Sequence, residues 1–167
     1  MNVETKRLAL ITLLGVVVFL SKIVVPSPID KMFIVVQALL LALGSLLLRS
    51  MGATYVAAIG GVLTAFWRTE FAPFTVVFAF LYGLLVDGFF FIFKVSTNRD
   101  EVQTNRLVVS ITISTALTGL ISNYVSVFLG LLPSNPTLEV SILVVGTLNG
   151  AAAGYLASII WNRYLQN

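Results

Sequence analysis

Residues 74–93 read FTVVFAFLYGLLVDGFFFIF, a run of apolar residues broken by a single charge, Asp87. A helix needs about 20 predominantly apolar residues to cross a hydrocarbon core of roughly 30 Å, and this stretch has that length. Five more apolar stretches surround it: Leu8–Val25, Phe33–Leu48, Ala53–Trp67, Leu107–Leu131 and Val140–Trp161. The second and third in chain order are short and must borrow from their flanks or end in a re-entrant turn. Because a bilayer core offers no water to backbone groups, each stretch is predicted to be helical. The expected fold class is an all-α integral membrane protein, a single bundle of six transmembrane helices forming one domain over residues 1–167.

Composition points the same way. Hydrophobic residues make up 58% of the chain and charged residues 10%, and the mean hydropathy is +1.01, far from the soluble average. The net charge of +3 would suggest nucleic acid on a soluble chain. Here the basic residues stand at helix ends and read as orientation signals, so no nucleic-acid partner is expected. Histidine and cysteine are both absent. That excludes thiol nucleophiles, disulfides and imidazole acid–base chemistry, together with the commonest transition-metal ligands. No cofactor or metal is expected, and no catalytic set can be assembled, so the chain reads as a non-enzyme. Lys6-Arg7 precedes an apolar run, but Lys22 and Pro26 follow it in place of a small-residue cleavage site, and the first stretch is expected to remain as a helix.

With an even number of spans both termini share a side. Lys6, Arg7, Arg49, Lys94, Arg99, Arg106 and Arg163 would lie there, against Lys22, Lys31 and Arg68 on the other. The positive-inside rule then places both termini in the cytoplasm of a multi-pass plasma-membrane protein. Trp161 and Tyr164 fall at the inner interface. The polar connection Val95–Arg106 is then a cytoplasmic loop, and the three external loops each contain proline.

Membrane helices pack through small residues that let backbones approach, and positions four apart share a helix face. Four rows have this spacing: Ala53, Ala57, Gly61 and Ala65; Ala79 and Gly83, continued by Asp87; Ser110, Ser114, Thr118, Ser122 and Ser126; and Gly146, Gly150, Gly154 and Ser158. Three of the rows read as packing faces. The hydroxyl row can either bond back to its own helix or line a polar cavity. On the first span only Ala9, Thr12 and Gly15 give a short small-residue edge.

Polar groups at membrane depth are costly and mark functional positions. Asp87 could bind a coupling ion, pair with Arg49 or Arg106, or cap a neighbouring helix. Gln37, Asn123 and Tyr124 fall in the outer half of their spans, and Asn149 lies near the middle of the last. Lys22, Trp67, Arg68 and Glu70 stand at the outer ends. The distribution describes a polar pocket open to the outside, lined by Gln37, Trp67, Arg68, Glu70, Asn123, Tyr124 and Asn149 and suited to a small heterocycle with hydrogen-bonding groups.

The segment from Gln37 through Asp87 carries a resemblance. Its second span ends in LLLRSMGATYVAAIGGVL, where a basic residue precedes Gly52-Ala53 at the opening of the third helix, and a proline-started fourth span with the Gly83…Asp87 row follows. With six helices in a short chain and an outward polar pocket, this resembles the S component of energy-coupling factor (ECF) vitamin transporters. Among these it is most similar to members handling thiamine or its hydroxymethylpyrimidine precursor, although the carboxylate they carry on the third span is replaced here by the alanine-lined row. The resemblance implies a binding subunit that captures a vitamin-like solute outside and docks on a membrane coupling subunit served by two cytoplasmic ATPases. Many such proteins carry Ala-x-x-x-Ala on the first span for that docking. Here Ala9 is followed four residues on by Leu13, and Ala9, Thr12 and Gly15 are the corresponding edge. The chain has no G-x-x-x-x-G-K-[ST] phosphate loop, so any ATP is hydrolysed elsewhere. The competing readings are a non-catalytic assembly subunit of a membrane complex and a small self-sufficient secondary transporter. The latter would be supported by inverted repeats, and the two halves of the chain show no such similarity.

Overall fold

The computed structural model describes residues 3–23, 34–48, 51–69, 72–95, 102–131 and 133–165. These form α1 (Val3–Ile23), α2 (Ile34–Leu48), α3 (Gly52–Trp67), α4 (Ala72–Ile92), α5 (Thr104–Phe128) and α6 (Pro136–Ile160), the last running into a π-helical turn, Trp161–Leu165. No strand occurs among the described residues, so the protein is all-helical as expected. Three helices are long and apolar enough to cross a membrane: α4, α5, and α6 with its π-helical turn. The α2 and α3 helices are apolar but only 15 and 16 residues long. In α1 the charged residues Glu4, Lys6, Arg7 and Lys22 crowd both ends of a 21-residue helix.

The α6 helix starts earlier than its apolar run, which begins at Val140, because a cap sets its start and hydropathy does not. Asn135 is the N-cap of α6, its side-chain oxygen accepting from the Thr137 N–H at 3.0 Å, and Pro136 takes the first turn, where a missing N–H costs nothing. Glu139 in the same turn complements the positive end of the helix.

The α2 helix occupies the centre of the bundle and touches each of the other five. Its sequence, IVVQALLLALGSLLL, is apolar on every side, which is the pattern of a helix enclosed by others. Leu41, Ala42 and Leu46 are fully or almost fully buried. Gln37, near its first turn, interrupts this apolar surface with a polar side chain.

Around α2 the most extensive pairings are α3 with α4 and α5 with α6. Both are built on the predicted small-residue rows. A Cβ added at Gly83 would stand 2.7 Å from the Thr54 Cα and 2.8 Å from the Ala57 Cβ, and one at Gly61 would stand 2.6 Å from the Ala79 Cβ. On the other pair, a Cβ at Gly150 or Gly154 would lie 2.7 Å from the Cα of Thr112 or Val108. At Gly83, Gly150 and Gly154 the backbones are too close for any side chain, and at Gly61 the Ala79 methyl takes the space. Gly15 belongs to the same class, since a Cβ there would come within 2.7 Å of Ile59 on α3.

Gly83→Ala and Gly150→Ala should therefore lower the melting temperature of the detergent-purified protein, because overpacking costs about 1–3 kcal/mol. Gly88 has nothing within 4 Å of an added Cβ. Gly88→Ala should raise it, by the roughly 1 kcal/mol of helix propensity that alanine gains over glycine.

Candidate functional site

The two helix pairs meet where α4 crosses α5. There the Tyr82 and Thr115 hydroxyls are hydrogen-bonded at 2.8 Å, and the Ser114 hydroxyl, bonded to its own helix at 2.7 Å, also approaches the Leu85 carbonyl at 3.3 Å. Towards the start of α4 and the end of α5 from this contact lies a cavity of about 610 Å³. Its wall takes residues from the last turns of α1 and α3, the first turns of α2, the first halves of α4 and α6, and the second half of α5. All six helices thus meet at one end of the bundle. The volume is of the size that holds a small organic ligand.

Each element supplies a different chemistry. Lys22 ends α1 and Arg68 follows α3, and the Arg68 guanidinium donates to the Lys22 carbonyl at 3.0 Å, which ties the two helix ends together. Gln37 comes from α2. The hydroxyls are Thr64 on α3, Thr75 and Tyr82 on α4, Thr115, Thr118 and Ser122 on α5, and Ser21 and Ser141 from α1 and α6. Ile34, Phe78, Leu138, Ile142 and Val145 complete the wall with apolar surface.

The serine–threonine row resolves both ways at once. Ser110, Ser114, Thr118 and Ser126 each donate to the carbonyl four residues earlier, at 2.7–2.8 Å. Thr115 and Thr64, outside the row, bond back in the same manner to Ile111 and Gly60. Thr118 and Ser122 of the row also face the cavity. A hydroxyl whose proton is committed to its own helix keeps its oxygen lone pairs for another donor.

The opposite end of the bundle is knit by polar contacts. Asp87 Oδ1 accepts from the Ala53 N–H at 3.2 Å, and Oδ2 accepts from the Thr54 N–H and hydroxyl at 2.8 and 2.7 Å. The residue at the N-cap position of α3 is Met51, which has φ 50° and no side chain able to cap. Asp87 therefore caps α3 from α4, satisfying N–H groups that the helix start leaves orphaned. Nearby, the Asn162 side chain donates to and accepts from the backbone of Val102, and the Thr104 and Ser158 hydroxyls bond at 2.6 Å.

Of the residues expected at the pocket, Gln37 and Arg68 line the cavity, and Lys22 stands beside them. Trp67 does not: it is 65% exposed, on the outer face of α3. Tyr124 is also outward, 57% exposed, with its hydroxyl donating to Glu139 at 3.4 Å. Asn123 is 3% exposed, one turn beyond the wall residue Gly119, and neither atom of its amide has a hydrogen-bond partner. The Asn149 side-chain nitrogen is buried and equally unpartnered, one turn below the wall residues Val145 and Gly146. Such groups cost about 1–3 kcal/mol each, so packing alone does not account for them. Glu70 and Arg49 lie outside the described residues. On α1, Ala9 and Thr12 are exposed, whereas Gly15 is turned into the α1–α3 contact.

The wall hydroxyls of Thr64, Thr75, Tyr82 and Thr115 were not among the expected site residues. Tyr82 and Thr75 fall on α4 at the i+3/i+4 spacing of Phe78 and Ala79, but the phenylalanine-rich run around them masks that signal. Comparison of the chain with family models, with curated proteins and with solved structures returns no match.

Asp87→Ala should lower stability by about 0.5–2 kcal/mol, the loss of an N-cap. Measured by thermal melting, that drop should occur without any change in the properties of the cavity at the other end of the bundle. A solute-binding defect at retained fold would contradict the capping role.

Proposed function

We propose that the protein is the solute-binding S component of an ECF-type importer, a six-span plasma-membrane subunit with both termini in the cytoplasm. The observation that carries this reading is the cavity itself, a space of about 610 Å³ at one end of the bundle lined by Lys22, Gln37, Arg68 and a set of hydroxyls. A chain whose helices served only to pack against partners has no use for buried polar wall on this scale, since polar groups at membrane depth are costly. The apolar α4, α5 and α6 helices support a membrane location, and the excess of lysine and arginine at the Asp87 end supports placing that end inside and the cavity outside.

In this reading the solute enters from outside, and its polar groups meet Gln37, Arg68 and the α5 hydroxyls while Phe78 and Ile142 cover its apolar face. Asn123 and Asn149 flank the site and gain partners as the solute settles. The chain has no phosphate loop, so release on the inner side is driven by two ATPase subunits through a membrane coupling subunit. The exposed face of α1, with Ala9, Thr12, Leu8 and Leu13, is the contact surface for that subunit.

A thermal-shift screen of the purified protein against water-soluble vitamins and their precursors, thiamine and hydroxymethylpyrimidine included, tests this. A compound that binds only the folded state at one hundred times its Kd adds about 2.7 kcal/mol of apparent stability. Gln37→Ala should weaken the binding of that compound about tenfold, the value of one hydrogen bond of roughly 1.4 kcal/mol, and Trp67→Ala should leave it unchanged. Absence of any shift with demonstrably folded protein would overturn the reading in favour of an assembly subunit.

A further inference from the structure

Resting on the solute-binding reading, we infer that this cavity selects its solute by hydrogen-bond donors. The end of the solute that settles against Tyr82, Thr115 and Thr118 carries an amino, imide N–H or hydroxyl group, and a carbonyl or ether in its place is disfavoured. The inference comes from where the protons of the wall go.

A hydroxyl has one proton and two lone pairs. A backbone carbonyl has no proton to give, so in every hydroxyl–carbonyl bond the hydroxyl is the donor. Ser21 donates to the Val18 carbonyl at 2.7 Å, Thr64 to Gly60 at 2.6 Å, Thr118 to Ser114 at 2.8 Å and Ser141 to Thr137 at 2.8 Å. Thr115 donates to Ile111 at 2.8 Å. Its proton is then committed, which fixes the direction of its 2.8 Å contact with Tyr82: the tyrosine hydroxyl donates and the threonine oxygen accepts. All six of these residues line the cavity. Towards a solute their oxygens accept.

The arrangement is tightest at the inner end, where Tyr82 and Thr115 meet and Thr118 stands one turn further along α5. The two donations run one way, from Tyr82 to Thr115 and from Thr115 to the α5 backbone, and hydrogen bonds in a chain polarise one another. Donating therefore makes the Tyr82 oxygen a better acceptor. Tyr82 and Thr115 are each 4% exposed, so bulk water does little to satisfy an oxygen that the solute covers without offering it a proton. A site of that kind rejects an analogue that lacks the donor, because the analogue leaves the buried acceptor unpaired. A solute carbonyl turned to the same wall would set lone pair against lone pair. Phe78, Ile142 and Val145 accept the apolar body of the solute and leave its orientation to the oxygens.

The test is calorimetric binding to the purified full chain with probes paired by methylation of a donor: hydroxymethylpyrimidine and its dimethylamino form, nicotinamide and N,N-dimethylnicotinamide, riboflavin and its imide N-methyl form, and pyridoxine and its O-methyl ethers. The unmethylated member of a pair should bind at least about tenfold more tightly, the worth of one hydrogen bond. The pair that responds distinguishes an N–H donor from an O–H donor. Methylation also adds bulk, so the deciding readout is the preference itself in Tyr82→Phe and Thr118→Val, which remove an acceptor oxygen without enlarging the side chain. The preference should fall towards unity in at least one of the two. Melting curves report whether each variant is folded, and Thr118→Val carries the test if loss of the Tyr82 hydroxyl unfolds the bundle. Equal or tighter binding of the methylated members, or a preference unaltered in the folded variants, would overturn the donor assignment and leave the importer reading standing. Binding of no probe would overturn both.

Discussion

The bundle depends on seams where helix backbones touch, the two most extensive of which join α3 to α4 and α5 to α6. In lipid, apolar side chains gain little by leaving the hydrocarbon for one another, so close van der Waals contact between backbones has to hold helices together. Gly83 supplies it between α3 and α4, where Gly61 also makes room for the Ala79 methyl, and Gly150 and Gly154 supply it between α5 and α6. Each seam makes a rigid pair. The pairs then meet at the Tyr82–Thr115 hydroxyl contact and enclose α2, whose apolar surface needs cover on every side. Because the seams occupy the small-residue faces, the hydroxyl-bearing faces of α4 and α5 are left to each other, and the cavity lies between them.

The two ends of the bundle put polar groups to opposite uses. At one end the polar side chains bond within the fold at three points: Asp87 on the start of α3, Asn162 on Val102, Thr104 on Ser158. These bonds close the helix ends against each other. At the other end Lys22, Gln37 and Arg68 converge with hydroxyl oxygens on a shared space, and the Asn123 amide and the Asn149 amide nitrogen are buried without partners beside it. A fold that only needed stability would treat both ends alike. The asymmetry is what a site filled from one side requires.

The fold was largely legible in the sequence because its determinants are one-dimensional. Length of apolar run gives helices, and four-residue spacing of glycine and alanine gives faces, so α4 and the rows through Gly83 and Gly150 could be read directly. The site was legible only in part. Gln37 and Arg68 stand out as polar residues in apolar surroundings, and depth along the helix located them. Trp67 and Tyr124 have the same depth and point away, since their rotation about the helix depends on which face the neighbours take. Thr64 and Tyr82 were invisible for a related reason: a threonine or tyrosine in a span is ordinary, and only the crossing of α4 over α5 makes a wall of them. Asp87 drew attention as a lone carboxylate, yet its role follows from Met51, a residue that cannot cap the helix it precedes.

The absence of cysteine makes one measurement especially direct. Single cysteines are placed on the same α5 row, at Ser122 in the cavity wall and at fully buried Ser110 in the closed half. Intact cells are then treated with a membrane-impermeant thiol reagent. A solute-binding cavity open to the outside predicts rapid labelling of Ser122→Cys, and no labelling of Ser110→Cys until the protein is denatured. Protection of Ser122→Cys from outside reagent, or equal reactivity at the two positions, would contradict the account.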